Sequence, residues 1–283
     1  GRHGHHGGVF LDISHKDKKM IIEKLPRMYR QFMESQLLDI SKEKMEVAPT
    51  AHYSMGGVIV EPETHATEVQ GLFAAGEVTS GVHGANRLGG NSLAEVLVFG
   101  RRAGQSAAEF SAKIKAQLRN PKIIQSAQDE LDSLTKPGDE LARPLQRALR
   151  IDMWENCGVV RDEMGLQKGL EILEDIKESS KSVDVRPDAI GFRDLATALD
   201  LKGSIIAAEA TLRSALARKE SRGAHQRRDF PASSQDFNVN IQVHLRGDGR
   251  HDMRLEPVKA VREDLKMWFE DSDEFSVDGR LLE

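Results

Sequence analysis

Apolar residues recur every three or four positions along much of the second half of the chain. Breaks rich in Gly, Pro, Ser and Asp divide this region into four stretches: Pro121–Leu134, Glu140–Asn156, Glu163–Lys177 and Asp188–Lys219. Such spacing is typical of amphipathic helices, and the breaks are typical of turns. The pattern predicts a small antiparallel helix bundle, which by default is a scaffold or a docking surface.

The rest of the chain alternates between short strand-like and short helical segments. Residues 9–14 read as a strand, and Asp17–Phe32 reads as two short helices because Pro26 breaks the helical spacing. Near the other end, Val239–Leu245 alternates as a strand does, RGDG makes a turn, and Met253–Val258 returns. We expect a small β element there, followed by a short helix within residues 258–270.

One stretch, GLFAAGEVTSGVHGANRLGGNSLAE from Gly71, carries the chemistry. Leu72–Ala75 reads as a short buried strand ending near Glu77, followed by a glycine-rich loop with Arg87 and then a helix. A strand, a loop of small residues and a helix N-terminus in succession place backbone N–H groups around an anionic or strongly accepting ligand.

The helix after this loop has the clearest boundaries. Asn91 or Ser92 can cap it, and Glu95 stands at about the distance of a capping box. An apolar face of mostly small residues predicts close packing on a sheet or helix: Leu93, Val96, Leu97, Gly100, Ala103, Gly104, Ala107 and Ala108.

Upstream, VAPTAHYSMGGVIV combines a histidine with a glycine pair. Gly56 and Gly57 allow a close backbone approach or a turn with positive φ, and residues 58–60 are strand-like. His52 is then within reach of a ligand in the same crevice, although a lone histidine more often has a structural role.

Composition limits the function classes. A net charge of −5 gives no electrostatic case for nucleic acid, and the single cysteine, Cys157, excludes an internal disulfide framework. No apolar run approaches the ~18 residues of a membrane span. The three histidines of RHGHHGG (residues 2–8) could bind a metal, but the flexible glycines between them and the lack of a carboxylate nearby in the sequence favour a solvated loop. The chain opens on Gly1 in mid-pattern, so we expect a piece of a longer protein.

A basic segment, ESRGAHQRRDFP, begins at Glu220 after the last helical stretch. Two interpretations stay open. Gly223 can close the helix, with Arg and His side chains complementing the helix dipole, or the segment can form a functional rim.

These motifs in this order (AHYSMGG, GLFAAGE, HGANRLGGNSLAE and ESRGAHQRRDFP) resemble the C-terminal half of the flavoprotein subunit of fumarate reductase and succinate dehydrogenase. L-aspartate oxidase is similar too. The resemblance covers nearly the whole chain, and HGANRLGGNSL is a highly specific string. It implies an α+β fold: the returning part of an FAD-binding α/β domain and the end of a capping domain, then the helix bundle and a small β-containing tail.

The resemblance implies a role for each candidate residue. His52 and Arg87 hold the carboxylates of a four-carbon dicarboxylate, fumarate or succinate, over FAD. Glu77 accepts hydrogen bonds from the FAD ribose. The helix start, Asn91, Ser92 and Leu93, presents backbone N–H groups to the flavin edge, where the helix dipole stabilises negative charge. No metal ligands are expected.

The resemblance also implies a domain order: residues 1–46 end the capping domain, 47–114 belong to the FAD-binding domain, 115–235 form the bundle and 236–283 the tail. It places the family's GxGxxG loop, its flavin-linking histidine and its proton-delivering arginine upstream of Gly1. The spacer between Glu77 and His83 is one residue shorter than in many respiratory members and resembles archaeal-type enzymes, which leaves the electron donor open.

The expected partner is an iron–sulfur subunit, with membrane-anchor subunits reached indirectly, and the expected location is the cytoplasm or the cytoplasmic face of the membrane. Two alternatives stay open beside fumarate reductase or succinate dehydrogenase. One is L-aspartate oxidase, and the other is a docking module for an iron–sulfur subunit with no chemistry of its own.

Overall fold

The structure is a computed structural model that describes residues 4–48, 52–115, 120–135, 137–186 and 193–270. The chain divides into two compact units, Gly1–Ser54 and Met55–Glu283. None of the helices in these described ranges has the length and apolar character that a membrane span requires.

The first unit consists of two short helices and a two-stranded antiparallel sheet. Its elements are β1 (Val9–Leu11), α1 (Lys18–Lys24), α2 (Pro26–Gln36) and β2 (Met45–Val47), with Val9 paired to Val47. The predicted strand and the helix break at Pro26 are confirmed. Proline begins α2 without cost because the first residue of a helix needs no N–H partner.

The second unit opens with a segment of loops that leads to a long helix, α3 (Asn91–Lys113). The predicted strand at Leu72–Ala75 is wrong: the described residues give it one isolated bridge, between Phe73 and Ala66, and Leu72 is 52% exposed. Residues 58–60 likewise form a single bridge, from Val58 to Thr79. A strand requires a partner along its length, and one bridge does not make a ladder.

The predicted helices of the bundle are present, with small shifts at their ends. They are α4 (Pro121–Leu134), α5 (Ala142–Cys157), α6 (Glu163–Ser179) and α7 (Arg193–Ala217). Helices α5, α6 and α7 pack on one another around one core that includes Leu149, Leu166 and Leu212, whereas α4 buries none of its residues. The predicted start of the last helix, Asp188, lies outside the described residues.

The remaining elements follow the bundle. Two-residue strands β3 (Val160–Arg161) and β4 (Gln226–Arg227) pair in parallel. The predicted hairpin is confirmed as β5 (Val239–Leu245) and β6 (His251–Pro257), and α8 (Glu263–Glu270) follows. The hairpin is joined to the bundle where His251 Nδ1 lies 3.2 Å from Glu209 Oε1 of α7, both side chains being buried.

The bundle offers a direct test of packing. A Cβ at Gly169 of α6 would lie 2.9 Å from Leu212 Cδ2 and 3.2 Å from Asn156 Cβ, whereas a Cβ at Gly203 of α7 would meet nothing within 4 Å. We expect Gly169→Ala to lower the free energy of unfolding by about 1 to 2 kcal/mol through overpacking. Gly203→Ala should raise it by about 0.5 to 1 kcal/mol through helix propensity. Urea unfolding of both variants measures the two changes in the free energy of unfolding. Changes of the same sign would contradict this prediction.

Candidate functional site

The glycine pair lies against the backbone that follows Glu77. Gly56 and Gly57 have φ of 98° and 149°, and a Cβ at Gly57 would lie 2.2 Å from the carbonyl oxygen of Val78. Val58 N donates to the same oxygen at 2.7 Å. The predicted close backbone approach is confirmed at Gly57, and the predicted positive φ is confirmed at both glycines.

The start of α3 differs from the predicted capping box. Gly90, with φ of 87°, is the N-cap, and among the described residues no side chain caps the helix. Glu95 points instead to His83, whose Nε2 lies 2.8 Å from Glu95 Oε2, with both side chains almost fully buried. Because the first N–H groups of a helix have no intrahelical acceptors, those of Ser92 and Leu93 are available to a ligand.

Arg87 lies in the loop between His83 and this helix start. Its side chain is partly buried, and Nη1 donates to the carbonyl oxygen of Leu88 at 3.3 Å, a long hydrogen bond. The buried pair of His83 and Glu95 fixes one end of the loop to α3. The guanidinium therefore extends from a loop that is anchored to the helix whose N-terminus follows it.

The structure brings most of the predicted site residues into one unit. Glu77, which is exposed, Arg87 and the first turn of α3 with Asn91, Ser92 and Leu93 all belong to the second unit. His52 is exposed and belongs to the first unit. The pairing of His52 with Arg87 around one ligand therefore stays a prediction.

In the glycine–histidine loop of the first unit, the structure describes residues 4–8, which lie beside Glu46. His5 and His6 are exposed, and the carboxylate of Glu46 accepts hydrogen bonds from the backbone N–H groups of His6 and Gly8 at 2.8 and 2.9 Å. Across the described ranges, no group of three or more His, Cys, Asp or Glu side chains could hold a metal ion.

The basic segment after α7 holds the end of that helix, but not through Gly223. Arg227 is buried, and its Nη1 donates to the carbonyl oxygen of Ala215 at 2.7 Å, while its Nη2 lies 2.7 Å from Asp229 Oδ2. An arginine on the last carbonyls of a helix satisfies them and complements the helix dipole. Closure of α7 by Gly223 is wrong, because α7 ends at Ala217 and Gly223 lies in a separate turn.

Sequence reasoning missed what this turn contacts. Ala224 N donates to the carbonyl oxygen of Ala85 at 2.9 Å, so the segment after α7 reaches the loop that carries Arg87. The contact joins two backbones that are far apart in the sequence. No residue pattern could have indicated it except Gly223 itself, which a helix end explained equally well.

Two family models match the chain. The model described as fumarate reductase flavoprotein C-term matches residues 146–267, and the FAD binding domain model matches residues 1–93. The second match contains His52, Arg87 and the start of α3, and the first contains the bundle helices α6 and α7.

Curated relatives and solved structures agree with these matches. An uncharacterized FAD-dependent oxidoreductase of Methanocaldococcus jannaschii is 41% identical, over 99% of this chain and 47% of its own. One of the subunits of the fumarate reductase (CoM/CoB) from Methanothermobacter marburgensis is 40% identical, over 85% of this chain and 44% of its own. The structure of the Escherichia coli quinol fumarate reductase flavoprotein superposes with a TM-score of 0.83 at 35% identity, over 90% of this chain and 45% of that one.

The chain thus spans about half the length of the curated relatives it matches. The mixed helix and strand architecture agrees with the flavoprotein fold of the solved structure. The family models, the named relatives and the structural likeness all agree: the chain belongs to the family of FAD-binding flavoprotein subunits of fumarate reductase and succinate dehydrogenase.

Proposed function

We propose that this chain supplies the dicarboxylate-binding side of an FAD-dependent site that interconverts fumarate and succinate. The observation that carries the proposal is the position of Arg87, in an anchored loop that leads directly into the uncapped N-terminus of α3. An arginine on the loop that leads into these backbone N–H groups suits two anionic or strongly accepting groups that bind side by side.

The residues present fit FAD. Gly90 in the left-handed region brings the chain into α3 without a capping side chain, which leaves the N–H groups of Ser92 and Leu93 for the flavin edge. Cβ atoms built at Gly89 and Gly90 would meet nothing within 4 Å, so a flat ring can approach the backbone there. Glu77 is exposed and can accept hydrogen bonds from the ribose. When bound, FAD supplies the two-electron chemistry on the carbon–carbon bond of the substrate.

The residues of this chain then bind and orient the substrate. Arg87 can bind one carboxylate through two parallel hydrogen bonds, and His52 can donate a hydrogen bond to the other end of the dicarboxylate. The positive end of the α3 dipole stabilises negative charge at the helix start. The N–H groups of the helix start are preorganised, since they are in place before charge develops.

The domain assignment and the partners are part of the proposal. Residues 1–46 would complete a capping domain, 47–114 an FAD-binding domain, 115–235 the bundle and 236–283 a tail. Bundle helices α6 and α7 lie within the match to the C-terminal family model, and the bundle would face an iron–sulfur subunit that exchanges electrons with the flavin. We place the assembly in the cytoplasm or on the cytoplasmic face of the membrane.

Turnover of fumarate with reduced viologen, compared with aspartate turnover in the presence of oxygen, tests the function. The FAD-loaded flavoprotein that contains this chain is expected to reduce fumarate and to leave aspartate unchanged. Oxidation of aspartate without fumarate reduction would assign the site to L-aspartate oxidase chemistry. Inertness toward both substrates would favour a docking module.

A further inference from the structure

The segment after α7 makes a tight turn at Arg222–His225. Arg222 N donates to the carbonyl oxygen of His225 at 2.8 Å, and His225 N donates to that of Arg222 at 3.0 Å. Gly223 occupies the first central position with φ of 57°. A hairpin turn with positive φ at that position favours glycine, because a side chain there is strained.

This turn presses on the backbone of the Arg87 loop. Besides the hydrogen bond from Ala224 N to the carbonyl oxygen of Ala85, a Cβ built on Gly223 would lie 2.3 Å from that oxygen and 2.5 Å from its carbon. Ala85 precedes Arg87 by two residues. Any side chain at position 223 must therefore move the turn, the loop or both.

The turn itself is held by the buried carboxylate of Glu220. Glu220 is completely buried and accepts hydrogen bonds from Arg222 Nε at 2.9 Å, from Ser234 N at 2.8 Å and from Arg218 Nη1 at 2.5 Å. The carboxylate thus fixes Arg222, the first residue of the turn, to the end of α7. Because Arg222 is fixed in this way, these hydrogen bonds resist a shift of the turn away from the Arg87 loop.

The last residue of the turn is fixed as well. His225 Nε2 donates to the carbonyl oxygen of Arg218 at 3.2 Å, and Arg161 Nη1 donates to His225 Nδ1 at 2.9 Å. Burial first, and then the neighbouring arginines, lower the pKa of His225, so the neutral ring that accepts at Nδ1 is favoured. Together with the pair of His83 and Glu95, the turn holds the Arg87 loop from two sides.

We propose that Gly223 is a positioning residue for substrate binding: the turn it permits fixes the Ala85 carbonyl and thereby sets where the guanidinium of Arg87 meets the dicarboxylate. The inference rests on the proposed function, in which Arg87 binds a carboxylate. On this inference the segment after α7 influences substrate binding, in addition to supporting the fold.

Gly223→Ala tests the proposal in the FAD-loaded flavoprotein, with Gly249→Ala as the matched control. Gly249 lies at the tip of the β5–β6 hairpin with φ of 81°, and a Cβ there would meet nothing within 4 Å. Both variants carry the strain of a left-handed alanine, but only Gly223→Ala adds the clash with Ala85. We expect Gly223→Ala to raise KM for fumarate about tenfold or more while KM for reduced viologen stays unchanged. Gly249→Ala should leave both constants unchanged.

Hydrogen exchange gives a readout besides activity. In Gly223→Ala, amides of a peptide covering residues 83–90 are expected to exchange faster, while peptides of α5 and α6 keep their rates. Should Gly223→Ala fail to fold, Arg161→Met removes the support of His225 without adding atoms at the contact. It should raise KM for fumarate about threefold and speed exchange in the same peptide.

The outcomes separate this inference from the proposed function. An unchanged KM for fumarate and unchanged exchange at residues 83–90 in Gly223→Ala would overturn the positioning role. So would equal effects of Gly223→Ala and Gly249→Ala. If Arg87→Lys also leaves fumarate kinetics unchanged, the proposed function itself is wrong; if Arg87→Lys impairs them, only the role of Gly223 is lost.

Discussion

Replacing Glu220 with glutamine is expected to lower the free energy of unfolding by about 3 to 5 kcal/mol. Glu220 is completely buried between Arg218 and Arg222, and it also accepts the N–H of Ser234. Glutamine keeps the shape of the side chain but removes its charge, which leaves two arginines without their shared partner. Urea unfolding of the chain measures the loss.

Glu178→Gln is the control for this change. Glu178 pairs with Lys181 on the surface of the bundle, where its side chain is 76% exposed. Exposed pairs contribute little, so we expect a change within about 0.5 kcal/mol. A loss of similar size in both variants would contradict the role given to Glu220.

The stabilisation by Glu220 should also depend on pH in a defined direction. Burial by itself raises the pKa of this carboxyl, but hydrogen bonds from Arg222, the Ser234 N–H and Arg218 outweigh it and lower the pKa to about 2. A carboxyl whose pKa is lower in the folded state contributes fully to the free energy of unfolding at any pH above its unfolded-state pKa. That contribution is lost as the pH falls toward the folded-state pKa. The difference between the original protein and Glu220→Gln should therefore be constant above about pH 5 and shrink between about pH 4.5 and 2.

The helices were largely predictable from the sequence because their signals are local. The structure confirms α4 at its predicted bounds, Pro121–Leu134, where Asn120 caps the helix and proline occupies its first position. The hairpin of β5 and β6 was predictable for the same reason, since alternation and the turn lie within one short segment. The strand expected at Leu72–Ala75 failed because a strand depends on a partner elsewhere in the chain.

In the candidate site, too, the features with local signals were predictable and those that depend on distant contacts were not. The glycine pair and the helix start after Arg87 were found from residue types and their order. The expected capping box was wrong because Glu95 stands at the right spacing for it but is taken by His83, a partner that spacing along the helix does not reveal. The hydrogen bond from Ala224 N to the carbonyl oxygen of Ala85 could not be predicted, because a contact between two backbones places few constraints on the side chains.

Arg87→Lys is the second change for which we expect a large effect. Lysine keeps the charge but loses the planar pair of donors that a carboxylate can accept in parallel. Loss of a charge-assisted hydrogen bond of about 1.5 to 3 kcal/mol corresponds to a roughly ten- to hundredfold loss in kcat/KM for fumarate. Arg101→Lys, an exposed position on α3 in the same unit, is the control and should leave kcat/KM unchanged.

The most direct test of the central claim is the kcat/KM for fumarate of Arg87→Lys beside Arg101→Lys, measured with reduced viologen in the FAD-loaded flavoprotein. We predict a loss of about ten- to hundredfold for Arg87→Lys and none for Arg101→Lys. Unchanged fumarate kinetics in Arg87→Lys would contradict the claim that this loop binds the dicarboxylate.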